Sequence, residues 1–282
     1  MTRHPSSSVQ AAREALAERL REIRLDAGLT GRDVADRAGW NASKSSRLEN
    51  AVTPPSDADI RAWCAACGVP KLAPDLIAAS RTAESMYVEW KRLQRTGLRQ
   101  LQESYVPLFE RTKTFRIYCS NVVPGLLQTP AYATALLGEI TSFRGTPDDV
   151  TEAVAARVDR ARVLREGNHR FAILVEESVL RYRIGDASTM AGQLGHLLAV
   201  MSLPAVSLGV IPFTAERGMW PIETYSIYDD EQAQVELLTA AVTVTTPSEI
   251  EQYATAFTRA AEMAVHGARA RALITAAVDA LG

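Results

Sequence analysis

The chain has 282 residues, 47% of them hydrophobic and 23% charged, with a net charge of −2; this composition is that of an ordinary globular protein with room for about two domains. No apolar run approaches the roughly 18 residues a membrane helix needs, the first ten residues carry no apolar signal core, and three cysteines make no disulfide framework. The expectation is a cytoplasmic protein without a membrane partner. Charge is unevenly spread: residues 1–80 hold 11 Lys/Arg against 10 Asp/Glu, residues 81–116 hold 8 against 4, and residues 117–282 hold 12 against 19. An acidic body behind a near-neutral head disfavours general polyanion binding, so affinity for a nucleic acid would rest on a few placed cations.

In chain order, residues 1–11 carry Ser6-Ser7-Ser8 and a proline and are expected to form a disordered tail. A first helix follows, with Leu16, Leu20, Ile23 and Ala27 spaced as one buried stripe. Residues 30–50 then read as two short helices joined by a tight turn. Thr30 is an N-cap with Asp33 in a capping-box position, Gly39 can close the helix in the left-handed conformation, and Asn41 caps the next helix. On that second helix the 3.6-residue repeat sends Ser45 and Leu48 to one side and Ala42, Ser43, Lys44, Ser46 and Arg47 to the others. A small, hydroxyl-bearing surface with two cations suits a DNA groove. Arg47 lies one turn after Ser43 and can pair bidentately with a guanine, while Lys44 and Arg32, with the helix N-terminus that Gly31 leaves open, are assigned to phosphate.

Leu20-Arg21-Glu22-Ile23-Arg24, Gly28-Leu29-Thr30, Val34-Ala35, Gly39-Trp40 and Ser46-Arg47-Leu48-Glu49-Asn50 together resemble the Cro/phage-repressor (XRE) class of helix-turn-helix domain. The resemblance covers residues 15–78 and implies five helices, the fourth over Ser56 to Cys67 and the fifth over Lys71 to Ala79. It also implies an ion pair between Arg24 and Glu49. Gly31 and Ala42 stand where that class often has Gln and a polar reader, so the bases contacted are not inherited.

The fourth helix carries Trp63-Cys64-Ala65-Ala66-Cys67, superficially a thioredoxin string. A redox thiol there would sit at a helix N-terminus after a strand, whereas these two cysteines lie within a helix and are expected to be small core residues. One cysteine pair and four scattered histidines offer no tetrahedral zinc set, so no metal or cofactor is expected. From Ser85 to Tyr105 the apolar residues Met86, Trp90, Leu93, Leu98, Leu101 and Tyr105, interleaved with Lys91, Arg92, Arg95 and Arg99, predict a basic amphipathic helix: a connector, a core helix of the second domain or a dimer seam.

Beyond Lys113 the pattern turns to alternating strands and helices. Strands are predicted at Phe115–Cys119, Phe171–Glu176, Val206–Pro212, Thr224–Tyr228, Gln234–Thr239 and Val242–Thr245. Helices are predicted at Asp148–Arg165, Ala187–Met201, Ser248–Val265 and Ala268–Leu281, with Thr129-Pro130, Thr146-Pro147 and Thr246-Pro247 each read as a helix start. The expected organisation is α+β overall: a tail over 1–11, an all-α five-helix domain over 12–80, a connecting helix over 81–112, and a mixed α/β domain over 113–282.

Residues Pro124 to Tyr132, Arg157 with Arg160, Glu176-Glu177, Gln193-Leu194 with Leu197-Leu198, and Val210 to Phe213 resemble the C-terminal domain of unknown function, labelled WhiJ-like or antitoxin-like, that follows Cro-type helix-turn-helix domains in actinobacterial regulators. The resemblance implies a homodimeric regulator of transcription that binds double-stranded DNA and whose second domain senses a ligand or a small partner protein encoded nearby. Gln128, Tyr132, Arg157, Arg160, Glu176, Glu177 and Gln193 are its candidate ligand or partner residues. A small-molecule-binding or enzymatic second domain is the alternative. No nucleophile elbow, phosphate loop or metal triad supports catalysis, so no catalytic residue is assigned. A pocket enclosing these polar groups would point to a ligand, and a wide apolar face to a protein partner.

Overall fold

The computed structural model describes residues 7–82, 87–89, 95–238 and 240–281. These fall into two units, one of residues up to Tyr87 together with Thr243–Ile250, the other of Val88–Val242 with Glu251–Gly282. The first unit contains α1 (Ser7–Asp26), α2 (Gly31–Ala38), α3 (Ala42–Glu49), α4 (Asp57–Ala66) and α5 (Ala73–Thr82), the last preceded by a 3-10 turn over Pro70–Leu72. Leu16, Leu20 and Ile23 of α1 meet Val34, Leu48, Ile60, Trp63 and Leu76 in one core. The buried Trp63 indole N–H donates to the Leu20 carbonyl at 3.0 Å, the polar partner a buried tryptophan requires.

Two expectations are corrected in this unit. Helix α1 begins at Ser7, inside the stretch read as a disordered tail, of which Met1–Ser6 lie outside the described residues. Ala27, read as the last member of the buried stripe, is exposed, because α1 stops at Asp26 and Gly28 turns the chain with φ 68°.

The second unit is built on a sheet whose strands, among the described residues, run β1 (Tyr87–Glu89), β7 (Ala240–Val244), β6 (Gln232–Glu236), β5 (Tyr225–Tyr228), β2 (Thr114–Cys119), β3 (Arg170–Glu176) and β4 (Val206–Ile211) across its width. Strand β3 is parallel to both neighbours, pairing Phe115 with Phe171 on one side and Phe171 with Val206 on the other. Strands β2, β5 and β6 pair antiparallel. The parallel strands are buried along nearly their whole length, as strands covered on both faces must be. The helices of this unit are α6 (Arg99–Ser104), α7 (Val106–Arg111), α8 (Pro130–Arg144), α9 (Val150–Arg160), α10 (Glu177–Arg181), α11 (Ala187–Val200) and α13 (Gly267–Asp279); α12 (Pro247–Met263) starts within the segment assigned to the first unit. All six predicted strands lie within a few residues of those found, although Thr239, the predicted end of one, lies outside the described residues.

The predicted continuous helix over Ser85–Tyr105 is not found. Residues 83–86 and 90–94, with Met86, Trp90, Lys91, Arg92 and Leu93, lie outside the described residues; Tyr87–Glu89 is a strand, and α6 begins only at Arg99. Gly97 is the break. Its φ of 103° is closed to helix and costly for any side chain, and a Cβ there would run into the Asp149 carboxylate. That carboxylate accepts the backbone N–H of Leu98 at 2.7 Å and of Arg99 at 2.8 Å, so α6 is capped by a residue some fifty positions away in sequence. Thr146-Pro147 is likewise not a helix start. Gly145, at φ 62°, closes α8, and Thr146 N–H bonds back to Thr141 at 3.3 Å. The proline follows a helix end, a place it commonly takes because it cannot continue the helix.

Candidate functional site

In the first unit the turn between α2 and α3 is built as its residues dictate. The Thr30 hydroxyl accepts from Asp33 N–H at 3.2 Å, and the Asp33 carboxylate accepts from the Thr30 hydroxyl at 2.6 Å and from Thr30 N–H at 2.7 Å, which hold it below its usual range. Gly39 takes the left-handed conformation at φ 70°, and Asn41 accepts the Lys44 N–H at 3.0 Å to start α3. Ser45 points inward, its hydroxyl donating to the Gly31 carbonyl at 2.8 Å, and Leu48 is buried beside it. The opposite face leaves Ala42, Ser43, Ser46 and Arg47 exposed, with Arg32 exposed on α2.

Arg24 and Glu49 lock α1 to α3. Arg24 Nε lies 2.5 Å from Glu49 Oε1 and Nη2 lies 3.2 Å from Oε2, while Nη1 donates to the Leu29 carbonyl at 2.7 Å. The side chains are 12% and 8% exposed, and the bond to Glu49 raises the Arg24 pKa against the opposing effect of burial. The pair fixes how α3 is presented.

Lys44, expected to meet phosphate, also has a partner within the head. Its ammonium lies 2.5 Å from Asp59 Oδ1 and 4.4 Å above the Trp40 ring centroid, so it ties α3 to α4. Arg47 has no such internal partner among the described residues. Thr30 and Asn41 spend their side-chain oxygens on caps, and Ser43 donates to Asn41 Oδ1 at 2.7 Å. Cys64 and Cys67 are buried, and burial pushes the Cys64 thiol up to about 11, the reverse of what a redox thiol needs.

In the second unit the seven candidate residues divide into three groups. Gln128, Arg157 and Arg160 meet in a cavity of about 450 Å³ between the β2–β5–β6 face and α6, α8 and α9. Arg157 donates from Nε to Gln102 Oε1 at 3.0 Å and from Nη1 to Gln128 Oε1 at 2.6 Å. Burial, with repulsion from Arg160, lowers the Arg157 pKa to about 10. Gln193 and Tyr132 instead brace the segment behind the cavity: Gln193 bridges Thr129 N–H and the Leu127 carbonyl at 2.8 and 2.7 Å, and the Tyr132 hydroxyl accepts Val123 N–H at 3.3 Å.

Glu176 and Glu177 are not part of that cavity. Glu176 accepts a bidentate Arg217 at 2.8 and 2.7 Å and the Tyr118 hydroxyl at 2.9 Å. Glu177 accepts Phe213 N–H at 2.9 Å and Arg181 at 3.1 Å. Both therefore tether the loop after β4. Gln102, Tyr105, Gly125, Arg144 and Glu236, none of them among the seven candidates, also line the cavity. Gln102 gave a signal in retrospect: it is a polar residue four positions after Leu98 on an otherwise apolar stripe, and it is 2% exposed.

Residues 102–276 match the family described as a domain of unknown function, DUF5753, which is more than half of the chain. The chain belongs to the DUF5753 family. Residues 15–78 match a helix-turn-helix domain. A helix-turn-helix DNA-binding regulator thus stands at the N-terminus, with the DUF5753 domain and its cavity behind it. No curated protein and no solved structure matches the chain. Among the described residues, no cluster of His, Cys, Asp and Glu is arranged to hold a metal ion, and no helix is long and apolar enough to cross a membrane.

Proposed function

We propose that the chain is a sequence-specific transcriptional regulator that binds double-stranded DNA as a homodimer through α3 and responds to a signal received by its DUF5753 domain. The observation that carries the reading is the outward face of α3, where Arg47 stands free among the described residues on a helix locked in place by Arg24 and Glu49. Lys44 is engaged by Asp59, which leaves few cations for phosphate, and two heads on two half-sites offset that shortage. The XRE-like and antitoxin-like resemblances of the sequence agree with this role, and cytoplasmic location follows from it.

The cavity favours a small ligand as the signal. Exposed Phe213 and Trp220, at 59% and 68%, favour a second reading in which the loop after β4 receives a small partner protein. Selection of bound sequences from a random duplex pool tests the DNA reading. The expected outcome is a two-fold symmetric element with half-sites about one helical turn, roughly 34 Å, apart or a multiple of it. Arg47→Ala should relax preference at one base pair per half-site and cost about 1–3 kcal/mol there. A uniform loss across sequences, or no enriched element, overturns the reading.

A further inference from the structure

The cavity of the DUF5753 domain is built around two arginines that, among the described residues, have no carboxylate at ion-pair distance. Arg160 is 7% exposed; its Cζ lies 5.1 and 5.2 Å from the Tyr105 and Phe109 ring centroids, its Nη1 reaches the Gln102 carbonyl only at 3.5 Å, and its Nε has no hydrogen-bond partner among the described residues. Arg157, three residues before it, is held by two amide oxygens, those of Gln102 and Gln128. Amides aim a guanidinium without cancelling its charge. Neither arginine has a carboxylate within ion-pair distance among the described residues, and the one carboxylate of the cavity wall is that of Glu236.

Two further features fit an occupant. Gly125 keeps its backbone bare where a Cβ would stand 3.2 Å from Arg160 Nη2. Part of the wall is apolar, with Leu101, Leu136 and Ile140 lining the cavity and Leu237 and Leu238 exposed at the strand end, while Asn121, Thr224, Ser226 and Gln234 add neutral polar groups. Buried charge without a counter-ion is costly, and paired guanidinium groups match a planar oxyanion bidentately. The volume falls in the range of small-molecule sites.

Building on the reading of this domain as a sensor, we infer that the cavity binds a small amphiphilic organic anion, its carboxylate held by Arg157 and Arg160 and its apolar body against the α6–α8 wall. The test uses the full chain and two probes, 8-anilino-1-naphthalenesulfonate and N-phenyl-1-naphthylamine, which share an aromatic body and differ in the anion. The sulfonate is expected to bind saturably, one per chain, and about tenfold more tightly than the neutral probe, a charged hydrogen bond being worth that much. Decanoate should displace it at about a tenth of the concentration that decanol requires. Arg160→Met should abolish the preference for the anionic probe, while Ile140→Trp, which keeps both arginines, should exclude both probes; melting curves establish that each variant is folded. Equal affinity for the two probes in the parent chain, or sulfonate binding that survives Ile140→Trp, overturns the site without touching DNA binding. Anion binding as described with no change in affinity for the selected DNA element leaves the site standing and overturns the sensor reading.

Discussion

At the scale of single residues, two charged pairs that join helices of the helix-turn-helix head make different contributions. Arg24 and Glu49 are almost wholly enclosed, so removing one partner leaves the other charge without a counter-ion. Arg24→Met should cost about 3–5 kcal/mol of head stability, whereas the double replacement Arg24→Met with Glu49→Leu should recover most of it; chemical denaturation of the four proteins of the cycle measures the coupling. Lys44 and Asp59 are more open, at 34% and 17%, and their pair is worth less than about 1 kcal/mol. Its signature is in pH. Burial tends to raise the Asp59 pKa, but hydrogen bonds from Lys44 and Ser56 outweigh it and the folded-state value lies below the ordinary 3.8. A depressed carboxylate adds stability in full above its unfolded-state value and loses it as pH falls through the folded one. Asp59→Asn should therefore destabilise the head at neutral pH and flatten its acid loss below about pH 4, as read by melting temperature against pH. An unchanged acid limb would refute the assignment.

At the scale of elements, legibility in the sequence followed the range of the interactions that shape each piece. Strands β2–β7 and the short helices of the head were readable because short apolar runs bounded by turns, capping boxes and αL glycines act within a few residues. Gly97 and Asp149 were not readable, since a carboxylate that caps α6 from the start of α9 leaves no trace near the helix it serves. The grouping of the candidate residues was hidden in the same way. Gln128, Arg157 and Arg160 converge, whereas Glu176 and Glu177, adjacent in sequence to a strand end, bind the loop after β4. Gly97→Ala is expected to cost about 1–3 kcal/mol through the forced backbone alone, and Asp149→Ala about 0.5–2 kcal/mol as a lost cap. Urea titration of both variants checks this, and a neutral Gly97→Ala would show that the chain reaches α6 by another path.

At the scale of the whole molecule, the acidic second domain sets what the head has to achieve. Residues 117–282 carry 12 Lys/Arg against 19 Asp/Glu, which repels a polyanion beyond the contact face. One head with Arg32 and Arg47 offers little to set against that, and the proposed dimer doubles it. Sedimentation at micromolar concentration should give a species twice the chain mass, and log affinity for the selected element should fall with log salt by about 0.9 per phosphate neutralised. A strict monomer with full affinity would contradict the dimer.

The head is not a contiguous stretch of chain. Thr243–Ile250 clusters with the residues up to Tyr87, and Ser248 N–H bonds to Asp75 on α5 at 3.2 Å. A premature stop codon anywhere between 88 and 242 would therefore delete part of the DNA-binding unit along with the DUF5753 domain. An allele truncated in that window that no longer recognises its operator would say nothing about whether the second domain touches DNA, and genetic dissection of this gene has to proceed by substitution.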